Sequence, residues 1–371
     1  MRSKVQSGSI SRAVSEALAL VVLLLAVVAT SQAQLPATHK IIKVNVPGAG
    51  TSSGQGTVPF GILDDGSILG WYIDSSNVHH GFLRSPAGTI TTFDAPGAGT
   101  GSDQGTFPQG INSALVIVGT YVDTSGVYHG FLRSSGGTFK TLHAPGAGTG
   151  AGQGTEAGDI NTKGEILGAY IDSSGTNHGY VRSPGGKFTE FDAPGAGTDS
   201  GQGTFPAALC GLTDTGAVAG EYIGTTGVYH VFLRTPAGTF STIDPSGSVN
   251  TMIAGLSSNE TVAGYYYDSS GFFHGFRSLN GTITSYDAPD STDTGANNVN
   301  SGGAIAGPYY DSTGVMHGYV RGSKGVFTEF SVPGAGTSSG QGTNAAESNS
   351  KGEITGNYVD SKGVNHGFLR E

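Results

Sequence analysis

One segment recurs seven times along the chain at nearly constant spacing, and that period restricts the fold more than any other property. Its fullest form is residues 110–133, GINSALVIVGTYVDTSGVYHGFLR: an apolar run, Gly-x-Tyr-x-Asp, a short Ser/Gly turn, then His-Gly-Phe-Leu-Arg. The histidines of the copies are His80, His129, His178, His230, His274, His317 and His366, at steps of 49, 49, 52, 44, 43 and 49 residues. A repeat of that size is one supersecondary unit that buries its apolar face only against its neighbours, so the copies must stack into one body. Glycine supplies 64 of 371 residues. Each glycine in a helix interior costs about 1 kcal/mol relative to alanine, so the units are strands and turns.

Each copy divides into four segments. Segment d (Ile41 to Val46, Ile90 to Ala95, Phe139 to Ala144 and their equivalents) alternates apolar and polar residues and stops at a proline: Pro47, Pro96, Pro145, Pro194, Pro245, Pro289 or Pro333. A strand ladder does not continue past proline. Segment a ends at Gly61-Ile62, Gly110-Ile111, Asp159-Ile160, Gly211-Leu212, Gly255-Leu256, Asn298-Val299 and Glu347-Ser348. Segment b is typified by residues 165–172, EILGAYID. The turn Asp172-Ser173-Ser174-Gly175 then suits a type I turn with its glycine left-handed, and segment c runs from His178 to Arg182. Applied to the first copy, that turn pairs Gly70 with Phe82, Trp71 with Gly81 and Tyr72 with His80, setting aromatics against glycines.

The chain begins with a d segment and ends, at residues 366–371, directly after a c segment, so its two incomplete ends make one unit. The expected fold is all-β: a seven-bladed β-propeller of four-stranded antiparallel blades, closed by the N-terminal strand completing the last blade. Closure removes the sheet edges that invite aggregation. The expected domain is residues 41–371.

Ahead of it, Arg2, Lys4 and Arg12 precede an apolar run from Ala17 to Ala29 and the small residues around Ala33. That order predicts a secretory signal peptide over 1–33, with 34–40 as a linker and a secreted, extracellular or periplasmic location. The run is shorter than the ~20 residues that span a bilayer, so no membrane insertion is expected after cleavage. Cleavage takes the formal charge from −10 to −12. Such an acidic chain with no Lys/Arg cluster argues against nucleic acid as a partner. Cys210 is the single cysteine, so no internal disulfide is possible, and its Ala/Leu/Gly context reads as a small buried hydrophobe.

The seven histidines carry an Asp six residues earlier in all copies but the fourth, where Gly224 stands. A metal needs three or four ligands at one point, whereas equivalent atoms of different blades are spread around a ring. These residues therefore read as structural, with Asp capping its own turn; no metal and no cofactor are expected. Arg84, Arg133, Arg182, Arg234, Arg277, Arg321 and Arg370 read as blade-to-blade ion pairs or hydrogen bonds. The d–a loops Pro-Gly-Ala-Gly-Thr to Gly-Gln-Gly-Thr recur five times with Gln55, Gln104, Gln153, Gln202 and Gln341, and are absent after Pro245 and Pro289. The glutamines are candidate ligand contacts at the channel mouth; the plainer reading is a compact crossing between blades. The two short junctions leave a notch near blades five and six, where Asp290, Asp293 and Glu260 break the pattern.

With Gly-Ile-Asn followed by a turn and His-Gly-Phe-Leu, the chain resembles the bacterial extracellular repeat family named for its His-Ala-Phe signature (HAF repeat). Here glycine replaces the alanine in six copies and Val231 in the fourth. The resemblance covers nearly all of 41–371 and implies a secreted or surface propeller-like protein with no established activity. The expected function is a noncatalytic binding or scaffold module for a polysaccharide or cell-surface protein. The alternative is a propeller hydrolase or lyase with its site at the channel mouth near blades five and six; a third is a purely structural module.

Overall fold

The computed structural model describes residues 39–206 and 210–371. The expected signal peptide and most of the linker lie outside the described residues. Among those described the fold is all-β, with no helix and so none long and apolar enough to cross a membrane.

Among the described residues, 41–371 are arranged in seven successive antiparallel meanders of strands a to d, with strand a of the sixth split into Asp293–Thr294 and Asn298–Val299. In the first, strand a is Gly56–Ile62, b is Ile68–Ile73, c is His79–Arg84 and d is Ile90–Phe93. The b–c register is Gly70↔Phe82, Trp71↔Gly81 and Tyr72↔His80. The glycine is required there: a Cβ on Gly70 would lie 2.5 Å from the Phe82 ring, so the ring occupies the space glycine leaves. The seventh meander takes Gly342–Ser348, Ile354–Val359 and Asn365–Arg370 from the end of the chain and Ile41–Val44 from its start. That outer pair runs antiparallel with Ile41 opposite Arg370 and Val44 opposite Gly367.

Successive meanders are joined through the backbone N–H of the residue that opens strand c. Five junctions use the carbonyl of the loop glutamine: His79 N to Gln104 O at 2.9 Å, Tyr128 to Gln153 at 2.8 Å, Asn177 to Gln202 at 2.9 Å, Met316 to Gln341 at 2.8 Å and Asn365 to Gln55 at 2.8 Å. The last of these links the seventh meander to the first. Where the glutamine loop is missing a side chain takes over: Tyr229 N donates to Asn250 Oδ1 and Phe273 N to Asp293 Oδ1, each at 3.0 Å. The fifth meander, bounded by those two junctions, is therefore a separate four-stranded sheet, while the other 25 strands are continuous.

A second link recurs beside it. Thr57, Thr106, Thr155, Thr204 and Thr343 on strand a each accept the N–H at the end of the preceding d strand, at 2.9 to 3.0 Å. Pro245 stands where the other copies have that N–H, and the buried Thr251 hydroxyl accordingly has no partner.

The core lies between meanders, not within them. Phe60, Leu69 and Phe93 of the first pack with Ile117, Tyr121 and Phe131 of the second. Val44 and Leu369 of the seventh pack with Ile62, Ile68 and Phe82 of the first. At the turn ends of the a strands, asparagines tie neighbours together: Asn161 Nδ2 donates to Thr213 O at 3.2 Å, and Asn349 Nδ2 repeats this onto Leu63 O at 3.0 Å.

Candidate functional site

Every repeat builds the same unit from strands b, c and d. Tyr121 stacks on His129 with centroids 4.8 Å apart, and Tyr72/His80, Tyr170/His178, Tyr222/His230, Tyr309/His317 and Tyr358/His366 stack alike, while Tyr266 and His274 lie 5.2 Å apart at a wider tilt. The turn aspartate uses one oxygen for its own backbone: Asp123 Oδ1 accepts Ser125 N at 2.7 Å and Val127 N at 3.0 Å. Its other oxygen meets His129 Nε2 at 3.0 Å. On the far side, Nδ1 of His80, His178 and His274 meets Asp94, Asp192 and Asp287 at the end of strand d, at 2.8 to 3.0 Å. In those three repeats the turn aspartate stands farther off, 3.6 to 3.7 Å from Nε2, so the imidazole bonds strand d there and the turn aspartate at His129, His317 and His366.

Its electrostatics follow. The His129 hydrogen bond, partly offset by burial, holds Asp123 below the usual carboxylate range; at Asp311 the Thr313 hydroxyl does most of the same. Variation is tolerated: His230 keeps only Asp244, at 2.7 Å, because Gly224 replaces the turn acid, and His317 uses Ser331 in place of the strand d acid.

The five glutamines are engaged inside their loops. Their Oε1 atoms accept the N–H of Ser52, Gly101, Gly150, Asp199 and Ser338 at 2.9 to 3.3 Å. The Nε2 atoms of Gln55 and Gln153 reach the adjacent b–c turn, at Asn77 Oδ1 (2.9 Å) and Ser173 O (3.1 Å). The d–a loops and b–c turns therefore share a face, which is termed the loop face below. A cavity of about 540 Å³ opens at the other end of the strands, among the a–b turns, and none of the five glutamines lines it. Of the ion pairs or hydrogen bonds expected between repeats, Arg277 makes one, its Nη1 donating to Ser323 O of the next repeat at 3.0 Å, while four other arginines stack on rings. Arg133 lies 4.7 Å over Phe93 of the preceding repeat, Arg234 5.0 Å over Phe191, Arg321 4.6 Å over Tyr286 and Arg370 4.8 Å over Phe330, so cation–π contact joins repeats there.

On the loop face, where the fifth and sixth repeats meet without a glutamine loop, lies an open groove of about 510 Å³. Phe272, 48% exposed, and Phe273 form one wall, Tyr310 and Asp311 the other, with Thr292 and Asp293 between. Phe273 sits edge-on to Tyr310 at 5.7 Å and is backed by Tyr265 and Tyr267 at the same distance. Burial, with Asp293 nearby, pushes the Tyr310 phenol up. Of the three acids singled out in the sequence, only Asp293 lines this groove; Glu260 lines a separate cavity of about 130 Å³, and Asp290 lines neither. Sequence reasoning passed over the aromatics, although the aligned position of Phe272 holds Val78, Val127, Thr176, Val228, Val315 and Val364 elsewhere.

No family model and no curated protein matches the chain. Among solved structures it is similar to a prolyl endopeptidase, 11% identical over 81% of this chain and 46% of that one, with a TM-score of 0.52. It is also similar to the BP39L lectin from Burkholderia pseudomallei (13% identical, 81% and 94% covered, TM-score 0.49) and to the Aleuria aurantia lectin in complex with alpha-methyl-L-fucoside (14%, 79% and 94%, TM-score 0.43). The endopeptidase likeness, over less than half of that enzyme, is one of fold.

Proposed function

We propose that this chain is a secreted, noncatalytic carbohydrate-binding protein of the HAF-repeat type, built as a closed seven-bladed propeller that holds its ligand in the loop-face groove between the fifth and sixth repeats. The observation that carries the reading is that groove. An exposed aromatic wall beside carboxylates and hydroxyls suits a sugar, whose C–H faces pack on rings while its hydroxyls hydrogen-bond to Asp293, Asp311 and Thr292. Closure is supported by the seventh-to-first junction, which repeats the Gln carbonyl, Thr hydroxyl and Asn amide links of the internal ones. The formal charge of −10 favours a neutral ligand over a polyanion.

Hydrolysis would need an acid and a base held apart in pKa across one bond. In the groove Asp293 and Asp311 each use Oδ1 to cap backbone N–H groups, which is a structural occupation. The test is a glycan and cell-wall polysaccharide array probed with the chain from Gln34 and with Phe272→Ala. A specific glycan signal that the variant loses at unchanged melting temperature supports the reading. A blank array, or a signal indifferent to Phe272, overturns it and moves the search to protein partners.

A further inference from the structure

One position of strand c, opposite the first residue of strand b, is arginine in six repeats: Arg84, Arg133, Arg182, Arg234, Arg321 and Arg370. In the fifth repeat it is Ser278, opposite Val262. Arg277 falls one residue earlier, so it lies on the other face of the strand and donates to Ser323 O. In three repeats the guanidinium lies between two rings, one ending the preceding d strand and one opening its own. Arg133 is 4.7 Å from Phe93 and 5.9 Å from Phe139, Arg234 5.0 Å from Phe191 and 5.8 Å from Phe240, and Arg321 4.6 Å from Tyr286 and 6.0 Å from Phe327. The equivalent residues beside Ser278 are Ile243 and Ile283. Both line a cavity of about 130 Å³ between the fourth and fifth repeats, with Leu233, Val262 and Ser278.

A second departure from the repeat meets the first. Glu260 also lines this cavity, at φ 60°, in a turn position held by Gly66, Gly164, Gly216, Gly303 and Gly352 elsewhere and by Leu115 in the second repeat. A side chain in that left-handed conformation is strained. Ser278 is 3% exposed, yet among the described residues its hydroxyl has no hydrogen-bond partner, and the Glu260 carboxylate has none either. No Lys, Arg or His lines the cavity. The side-chain charge here is therefore reversed, from the arginine of six repeats to a glutamate.

We propose that this cavity binds the guanidinium group of a ligand, in the place that the other repeats fill from strand c. Its volume of about 130 Å³ compares with the ~150 Å³ cavity that takes a benzene ring, so a planar head group of a few heavy atoms fits. Ile243 and Ile283 flank the weakly hydrated faces of the plane, Glu260 meets two N–H groups along one edge, and the Ser278 hydroxyl accepts another. An ammonium ion suits the same walls less well, because its compact charge is strongly hydrated on every side. A neutral ligand leaves the charge reversal and the strained Glu260 without a purpose. The cavity shares no residue with the loop-face groove, so the site is independent of the carbohydrate reading.

Isothermal titration of the chain from Gln34 with methylguanidinium chloride, and with methylurea as the neutral isostere, tests the site. One methylguanidinium bound per chain and no heat from methylurea are expected. Ser278→Arg supplies the group from strand c, as in six repeats, and should abolish methylguanidinium binding without lowering the melting temperature. Glu260→Gln should weaken binding about tenfold or more. Equal heats from methylurea, unchanged binding in Ser278→Arg, or no methylguanidinium heat up to about 10 mM overturns the proposal. The comparison of isosteres on the unaltered chain decides it even if a variant does not fold. N-acetylarginine amide distinguishes the sources of the group: tighter binding than methylguanidinium supports an arginine side chain of a peptide, and equal or weaker binding supports a free small ion. Phe272→Ala should leave these heats unchanged, so failure here and failure of the carbohydrate reading are distinguishable.

Discussion

Thr106→Val and Thr251→Val are the same substitution at equivalent positions, and the structure predicts opposite signs. Thr106 is fully buried and its Oγ1 accepts Ala95 N at 2.9 Å. Valine keeps the shape but strands a buried N–H, which costs about 1–3 kcal/mol. Thr251 is 1% exposed and its hydroxyl has no partner, because Pro245 offers no N–H. Removing an unpaired buried hydroxyl gains about 1 kcal/mol. For a domain of this size about 2 °C accompanies each kcal/mol, so Thr106→Val should melt about 2–6 °C lower and Thr251→Val about 2 °C higher. Circular dichroism melts at one scan rate, with urea midpoints as a check, measure both. Equal losses, or a loss at Thr251 and none at Thr106, would refute the assignment of these hydroxyls to the d–a crossings.

Three further outcomes are expected. Gln55→Ala should lower the urea midpoint by about 1–2 kcal/mol in stability, since the amide, 5% exposed, bonds Ser52 N and Asn77 Oδ1; an unchanged midpoint would return the glutamines to the list of ligand contacts. Asp123 and Asp311 are held below their ordinary value when folded, so their stabilisation is present above about pH 4 and lost as pH falls through the lower folded value; Asp311→Asn should make acid unfolding less steep, measured as the slope of melting temperature against pH. His274, raised by Asp287 and Asp268 against the opposing effect of burial, contributes below its unfolded value of about 6.5 and loses that contribution as pH rises through the folded value; NMR titration of its ring protons should show a higher midpoint than in Asp287→Asn.

Much of the fold was legible because the turn chemistry is explicit. Asp-Ser-Ser-Gly fixes the b–c register, and once Gly70 faces Phe82 the two-residue side-chain period sets every other pair. The offset between a leading d strand and a trailing c strand likewise announced the pairing of Ile41–Val44 with the chain's end. Arg277 makes the expected hydrogen bond to the next repeat, whereas the ring contacts escaped notice because partners such as Phe93 beneath Arg133 belong to the preceding repeat and carry no charge. The glutamines recur as ligand contacts or loop staples would, and only their distances to Ser52 and Asn77 reveal the second use. The groove escaped attention because the search was for acids, whereas its distinctive residues are Phe272 and Tyr310 at positions normally aliphatic.

The proposed ring closure by the N-terminal strand is the central claim, and native-state hydrogen exchange on residues 41–46 tests it most directly. If Ile41–Val44 completes the seventh repeat, the Val44 and Val46 amides will exchange as slowly as those of the internal d strand Phe139–Leu142, through global unfolding only. Exchange of 41–46 within seconds, while 139–142 stays protected, would contradict it.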